Sequence, residues 1–287
     1  MNKFNQRIQF SQYDFVFING NHYQGEHQVL ILDPQKKVSI LKRIDQLKNL
    51  QFVIKMTQDA VFFDELLDEY PEIKNLHCYS IEDIDAISKH VDNIIQGTIA
   101  PVQGLVLAGG KSLRMGSDKG VLQFYGKNQR DFAIELLQAA KLKTFLSVRG
   151  EQEIQLKNKV VDTFVGLGPF GAICSAFQQN PDVAWLVLAT DLPFVNEAVI
   201  KQLHKHRNPS KAATAVKGKN KEFPEPLITI WEPKSYTLLL NYLAQGYSCP
   251  RKVLINSDIE IVEIEDHLIR NINTPEDYKQ AFKEING

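Results

Sequence analysis

The feature that most constrains the fold is a short apolar run that ends abruptly in a glycine-rich, basic loop. Residues 104–108 read Gly-Leu-Val-Leu-Ala, which is typical of a buried parallel strand. The dipeptide Gly109-Gly110 lets the backbone turn sharply and lets a ligand approach main-chain N–H groups. Lys111, Arg114 and Lys119 follow. Because amides and fixed positive charges both stabilise phosphate oxygens, a strand that opens into such a loop is suited to holding a polyphosphate.

The loop does not match the two best-known phosphate-binding patterns. It is neither the Walker A sequence G-x-x-x-x-G-K-[ST] nor the dinucleotide pattern G-x-G-x-x-G. A glycine turn followed by a solvated basic loop is therefore an alternative interpretation of these residues taken alone.

An alternation of strand, loop and helix follows the loop. We predict strands over 144–148, 159–161 and 183–189, and helices over 129–140, 171–179 and 196–206. Alternation of this kind predicts a mostly parallel α/β sheet flanked by helices, with a ligand site at the carboxyl ends of the strands. Gly109, Asp162 and Asp191 each fall just past the end of a predicted strand.

Asp191 is the strongest candidate for a metal ligand. It follows the apolar strand 183–189 and precedes Leu192-Pro193. Mg²⁺ favours one or two carboxylates together with phosphate oxygens. An aspartate here could instead cap the next helix or close a turn.

The string from Leu107 to Lys119 matches every fixed position of L-A-G-G-x-x-x-R-M-G-x-D-K. It resembles the signature of small nucleotidyltransferases, most closely the molybdenum cofactor guanylyltransferases, and the resemblance extends over residues 104–282. It implies a Rossmann-like nucleotidyltransferase fold. It also implies that Arg114 and Lys119 hold phosphates, with Leu107, Ala108, Gly109 and Gly110 shaping the nucleotide site.

The resemblance assigns further roles. It implies that Asp191 binds Mg²⁺, that Asp162 contacts the nucleotide, and that Asn271 and Asn273 of the closing N-x-N-T-P segment contribute to binding. Thr274 and Pro275 also have a structural explanation, as helix cap and first helical residue. The family's G-P-L-x-G-I turn is matched imperfectly, by Gly-Pro-Phe-Gly-Ala-Ile over 168–173.

The acceptor side is less fully matched. The segment 225–227, Glu-Pro-Leu, is similar to a substrate-side segment of the family, and Arg251-Lys252 is placed to meet the phosphate of an acceptor. The roles of Lys127 and Arg149 stay open.

The implied reaction is transfer of GMP from GTP to the terminal phosphate of molybdopterin, with release of pyrophosphate and Mg²⁺ as cofactor. One alternative is a cytidylyltransferase or another nucleotidyltransferase with a different phosphorylated acceptor. Another is a non-catalytic protein that binds nucleotide and serves as a scaffold.

Composition limits the partners. The formal net charge of −1 gives no overall attraction to nucleic acid or to an anionic membrane. The beginning of the chain lacks a secretory signal, and the three cysteines form no C-x-x-C pair, so we expect a cytoplasmic protein without a disulfide framework.

We expect a small α/β domain over 1–97, a linker over 98–103 and a catalytic domain over 104–287. The first domain includes predicted strands at 13–18 and 28–32 and a predicted helix at 60–69. It resembles the C-terminal half of the GTP-binding adaptor that accompanies molybdopterin guanylyltransferases, without its phosphate loop. This resemblance implies a docking domain for molybdoenzymes or cofactor-delivery proteins.

Overall fold

The computed structural model describes residues 5, 9–10, 13, 15–20, 25–108, 122–150, 152 and 157–287. The chain divides into two compact units, Met1–Ile99 and Ala100–Gly287. In the described part of the chain, no helix is both long and apolar enough to cross a membrane.

A seven-stranded sheet forms the centre of the larger unit. The seven strands are β4 (Val102–Leu107), β7 (Thr144–Val148), β8 (Lys159–Val161), β9 (Ala184–Ala189), β10 (Ala213–Gly218), β11 (Glu225–Trp231) and β12 (Ile259–Ile264). They lie in the order β12-β10-β11-β9-β4-β7-β8, and only β11 runs antiparallel to its neighbours. The prediction of a mostly parallel sheet is confirmed.

Helices cover both faces of this sheet. On one face lie α4 (Gln129–Ala139) and α6 (Glu197–Lys205), and on the other lie α5 (Pro169–Gln179), α7 (Ser235–Ala244) and α8 (Pro250–Ile255). All six residues of β9 are buried, because a central strand of a covered parallel sheet has no face in contact with water. The apolar run predicted for this strand is therefore explained by its central position.

Polar caps set where several helices begin. Asn128 caps α4 and Asn196 caps α6, each by accepting a backbone N–H with its side chain. The last helix, α9 (Pro275–Asn286), begins with a capping box between Thr274 and Asp277 and has proline at its first position. The predicted structural roles of Thr274 and Pro275 are confirmed.

A small second core lies beside the large one. It joins Phe124 of the hairpin β5 (Gln123–Phe124) and β6 (Lys127–Asn128) to Ile272 and to Ala281 of α9, all of them buried. Tyr278 packs edge-on against Phe124, and its hydroxyl donates to the Gln123 carbonyl at 3.2 Å. This core fixes the segment that precedes α9 against the hairpin that precedes α4.

The smaller unit has a three-stranded parallel sheet, ordered β1 (Gln28–Leu32), β2 (Leu50–Lys55) and β3 (Cys78–Ser80). Its helices are α1 (Lys37–Leu41), α2 (Asp64–Glu69) and α3 (Ile84–Gly97). The predicted helix over 60–69 is shorter, beginning at Asp64.

The strand predicted over 13–18 was wrong for every residue of it that the structure describes. Tyr13 and residues 15–18 lie in no strand, and the side chain of Phe17 is 82% exposed. The alternating pattern favours a strand, but a strand also needs a partner for its backbone hydrogen bonds. Within the described residues, β1 pairs only with β2.

Candidate active site

The candidate site lies where the strand order of the large sheet reverses. From β4 the chain proceeds outward to β7 and β8, and it then returns to β9 on the other side of β4. Such a reversal leaves a crevice outside the carboxyl ends of the two central strands. Leu107 and Ala189 are paired at those ends, and the segments that follow them carry the predicted site residues.

Part of the predicted site lies outside the described residues. Gly109, Gly110, Lys111, Arg114 and Lys119 all fall within 109–121, which the structure does not describe. Leu107 and Ala108, just before this segment, are buried at the end of β4. The predicted roles of the five loop residues stay predictions.

Thr190 connects the ends of the two central strands. Its backbone N–H and its hydroxyl both donate to the Leu107 carbonyl, at 3.4 and 3.3 Å, and the residue is 5% exposed. This contact holds the segment that begins at Asp191 beside the segment that leads into the glycine loop. A threonine one position before Asp191 gave no signal of this role in the sequence.

Two further contacts fix the segment around Asp191. The Ile272 N–H donates to the Asp191 carbonyl at 2.8 Å, which brings the Asn271–Asn273 segment to Asp191 although the two are far apart in sequence. The Tyr125 hydroxyl donates to the Pro193 carbonyl at 3.0 Å. The structure therefore brings together Asp191 and the N-x-N segment, which the sequence analysis connected only through a family resemblance.

The N-x-N segment is itself held by the start of α9. The Asp277 carboxylate accepts the N–H groups of Asn273 and Thr274 at 3.0 and 2.9 Å. These backbone hydrogen bonds lower the pKa of Asp277 below its ordinary value. The capping box thus also orders the loop that carries Asn273.

Asp162 follows β8, and a buried serine fixes it there. The Ser175 hydroxyl lies 3.0 Å from Asp162 Oδ1 and 2.8 Å from the Gly171 carbonyl, and it accepts the Thr163 N–H at 2.9 Å. Burial, together with the charge of Asp162, raises the pKa of the neighbouring Cys174 thiol to about 12. Ser175 had no motif in the sequence, because a serine inside an apolar helix gives no local sign of a partner 13 residues earlier.

Asp162 and Asp191 follow strands that are not neighbours in the sheet. The strands that precede them, β8 and β9, are separated by β7 and β4. Three strand spacings correspond to roughly 14 Å. Asp191 therefore follows a central strand of the sheet, whereas Asp162 follows its edge strand.

The backbone at the start of α5 requires glycine at two positions, Gly168 before the helix and Gly171 within it. Gly168 has φ +58° and ψ −139°, a conformation that is open essentially only to glycine. A Cβ on Gly171 would lie 2.2 Å from the Phe164 carbonyl oxygen. The departures from the family pattern, at Phe170 and Ala172, are both buried positions, so they alter packing behind the turn.

Glu225 and Arg251 form an ion pair at the same edge of the sheet. Arg251 Nη2 lies 3.4 Å from Glu225 Oε2, and Glu225 is only 8% exposed. Burial raises the pKa of Glu225, the charge of Asp191 adds to this, and Arg251 opposes it. The sequence analysis placed both residues on the acceptor side but did not connect them.

The two basic residues left open have local partners. Lys127 forms an ion pair with Glu135 of α4. The backbone N–H of Arg149 donates to the side chain of Gln152 at 2.8 Å.

The donors near Asp191 suit a hard divalent cation. A carboxylate and the amide oxygens of Asn271 and Asn273 are the kind of oxygen ligands that Mg²⁺ takes together with phosphate and water. Among the described residues, no three or more histidine, cysteine, aspartate or glutamate side chains form a metal-holding group.

Comparison with known proteins agrees with this architecture. A protein of Synechocystis named molybdenum cofactor biosynthesis bifunctional protein is 34% identical over 185 residues, which are 63% of this chain and 53% of that protein. This chain thus matches about half the length of that relative. A probable molybdenum cofactor guanylyltransferase of Natranaerobius thermophilus is 26% identical over 63% of this chain and 95% of its own length.

A solved structure shows the same fold. Molybdopterin-guanine dinucleotide biosynthesis protein A from Archaeoglobus fulgidus superposes with a TM-score of 0.53 at 23% identity, covering 63% of this chain and 97% of its own. The model of the MobA-like NTP transferase domain matches residues 104–259, which is more than half of the chain. This chain therefore belongs to the MobA-like NTP transferase domain family and is a nucleotidyltransferase.

Proposed function

We propose that this chain transfers GMP from GTP to the terminal phosphate of molybdopterin, releasing pyrophosphate and forming the guanine dinucleotide cofactor. The observation that carries the proposal is the arrangement of residues at the point where the strand order of the large sheet reverses. Asp191, the end of β4 and the Asn271–Asn273 segment are joined there by the Thr190–Leu107 and Ile272–Asp191 hydrogen bonds. The names of the molybdenum cofactor guanylyltransferase relatives support the choice of substrates.

The chemistry requires positioning more than proton transfer. An acceptor phosphate is already ionised at neutral pH, so it attacks the α-phosphorus of GTP without a general base. Asp191, Asn271 and Asn273 would hold Mg²⁺, which when bound offsets the negative charge on the phosphate oxygens. Arg114 and Lys119 would hold the triphosphate, with arginine forking two oxygens and lysine acting as a point charge.

The nucleotide would extend from the end of β4 toward β8. Asp162 lies on that side, held by Ser175, and the turn with Gly168 and Gly171 closes the same edge. The acceptor would enter from the opposite side, where Arg251 is half-exposed. This division assigns separate sheet edges to the two substrates.

Thermal unfolding with GTP, CTP or ATP, each with and without Mg²⁺, tests the nucleotide site. A ligand at about 100 times its Kd stabilises by about 2.7 kcal/mol, or roughly 5–10 °C for a unit of this size. We expect the largest shift with GTP and Mg²⁺, and we expect Asp191→Asn to reduce it. Asp182→Asn, an exposed position before the opposite end of β9, is the matched control and should retain the full shift.

Product analysis then tests the reaction itself. Molybdopterin, GTP and Mg²⁺ should yield the dinucleotide and one pyrophosphate per turnover, and Asp191→Asn should abolish the yield. A larger shift and faster turnover with CTP would replace the proposal by cytidylyl transfer. Binding of GTP without transfer to molybdopterin would contradict the proposed acceptor.

A further inference from the structure

We propose that Glu225 is a positioning residue that holds Arg251 toward the acceptor phosphate, next to Asp191. This inference deepens the proposed function and rests on it. The charge of Glu225 should affect binding of molybdopterin, the acceptor, and not binding of GTP.

The strand register brings Glu225 to the site. β11 pairs antiparallel with β9, with Ile228 opposite Leu188 and Trp231 opposite Trp185. Glu225 begins β11 and lies beyond the last of these pairs, toward the end of β9 that Asp191 follows. The electrostatic effect of Asp191 on Glu225 agrees with this proximity.

An irregularity in the neighbouring ladder aims the side chain. The pairing of β10 with β11 jumps from Ala215–Thr229 to Val216–Glu225, so residues 226–228 are passed over. Pro226 has no N–H to contribute to the ladder, and within this irregular stretch the Thr229 hydroxyl donates to the Glu225 carbonyl at 2.8 Å. Bulges of this kind bend a strand and redirect a side chain, and they recur beside active sites.

Arg251 provides the positive charge that pairs with the buried Glu225 carboxylate. The Leu227 N–H donates to Glu225 Oε1 at 3.3 Å, and Arg251 Nη2 approaches Oε2 at 3.4 Å. A buried carboxylate without a cation is unfavourable, so Glu225 draws the guanidinium to the sheet edge.

Arg251 keeps donors available on its other side. Its side chain is 48% exposed, whereas that of Glu225 is 10% exposed. A guanidinium has five N–H donors in a rigid fork, so it can bind Glu225 with one and a phosphate with others. The pair would thereby present a fixed positive charge to an acceptor phosphate close to Asp191.

The test is steady-state GMP transfer by the full chain, with molybdopterin and GTP varied separately. We expect Glu225→Gln to raise the KM for molybdopterin by about tenfold or more, since a charge-assisted hydrogen bond is lost. The KM for GTP should stay within about twofold of the wild-type value. Glu263→Gln, which removes a 2.9 Å ion pair between β10 and β12, is the matched control and should change neither.

A double-variant cycle separates positioning from general packing. If Glu225 acts through Arg251, Glu225→Gln combined with Arg251→Gln should be no worse than Arg251→Gln alone. The proposal would be overturned if the two substitutions raised the KM for molybdopterin independently, so that their factors multiplied in the double variant. It would also be overturned if Glu225→Gln changed the KM for molybdopterin and the KM for GTP equally. If Glu225→Gln does not fold, Arg251→Gln at its half-exposed position carries the test through the same KM comparison.

The outcomes distinguish this proposal from the proposed function. Absence of GMP transfer by the wild type would refute both. Transfer by the wild type, with KM values for molybdopterin that Glu225→Gln and Arg251→Gln leave unchanged, would refute only the positioning role.

Discussion

Replacing Ser175 by alanine tests whether the buried hydroxyl organises the nucleotide edge of the site. The hydroxyl accepts the Thr163 N–H at 2.9 Å and the longer Phe164 N–H at 3.3 Å. It has one proton to donate, with the Asp162 carboxylate at 3.0 Å and the Gly171 carbonyl at 2.8 Å as acceptors. Ser175→Ala removes all of these bonds at once, at a residue that is 2% exposed.

The expected loss is about 2 kcal/mol. Each hydrogen bond contributes about 1 kcal/mol net, and the long Phe164 contact counts for less. Water can replace part of the loss, because Thr163 is exposed and Asp162 is half-buried. A change of about 2 kcal/mol lowers the Tm of a unit of this size by roughly 4–8 °C.

Calorimetry measures the stability, and hydrogen exchange locates the change. We expect faster exchange at the Thr163 and Phe164 amides in Ser175→Ala, with no change in the unit Met1–Ile99. The stabilisation by GTP should also fall, since Asp162 loses its anchor. Ser147→Ala on β7, a 6% exposed serine whose hydroxyl bonds to no described residue, is the control.

The reasoning would be refuted if Ser175→Ala unfolded at the same temperature as the wild type and Ser147→Ala. Unchanged exchange at both amides would refute it equally. A lower Tm with unchanged GTP stabilisation would show that Ser175 supports the fold and not the site.

Three further predictions follow from the titrating groups. Burial raises the pKa of the Cys174 thiol to about 12, so this buried thiol stays protonated near pH 8. A thiol reagent should therefore label Cys78 and Cys249 in the native protein and Cys174 only in denaturant. Burial raises the pKa of Glu225 above 4.5, so its contribution to stability is present at low pH and is lost as the pH rises through the raised value. As the pH is raised from below 4.5, the Tm of Glu225→Gln should rise relative to that of the wild type, and a constant difference would contradict this. Asp277→Ala should lower the free energy of unfolding by about 1 kcal/mol and weaken the stabilisation by GTP and Mg²⁺. Because backbone hydrogen bonds lower the pKa of Asp277, its contribution to stability is present above pH 3.8 and is lost as the pH falls below that value. A loss of stability in the variant that does not depend on pH would contradict this assignment.

Much of the catalytic unit could be predicted from local sequence. The apolar runs at β4 and β9 indicated buried strands, and the placement of Asp191 just past one of them followed from the run's length. Thr274 and Pro275 predicted the start of α9 from cap chemistry alone. These signals are local because a strand interior and a helix start depend on a few consecutive residues.

Other predictions remain untested by the described structure. The roles of Gly109, Gly110, Arg114 and Lys119 rest on the sequence motif, and so does the docking role of residues 1–97. The strand at 13–18 was wrong in its described part because alternation alone does not provide a neighbouring strand.

The sequence by itself determined the class of sheet, the ends of its central strands and the oxygen and cationic groups available for binding phosphate and metal. The tertiary structure alone decided which distant groups meet: Ser175 with Asp162, Ile272 with Asp191, and Glu225 with Arg251. Those meetings depend on strand order, on the antiparallel register of β11 and on its bulge. Such features depend on packing across the whole sheet, so a short stretch of sequence does not indicate which residue elsewhere in the chain it will contact.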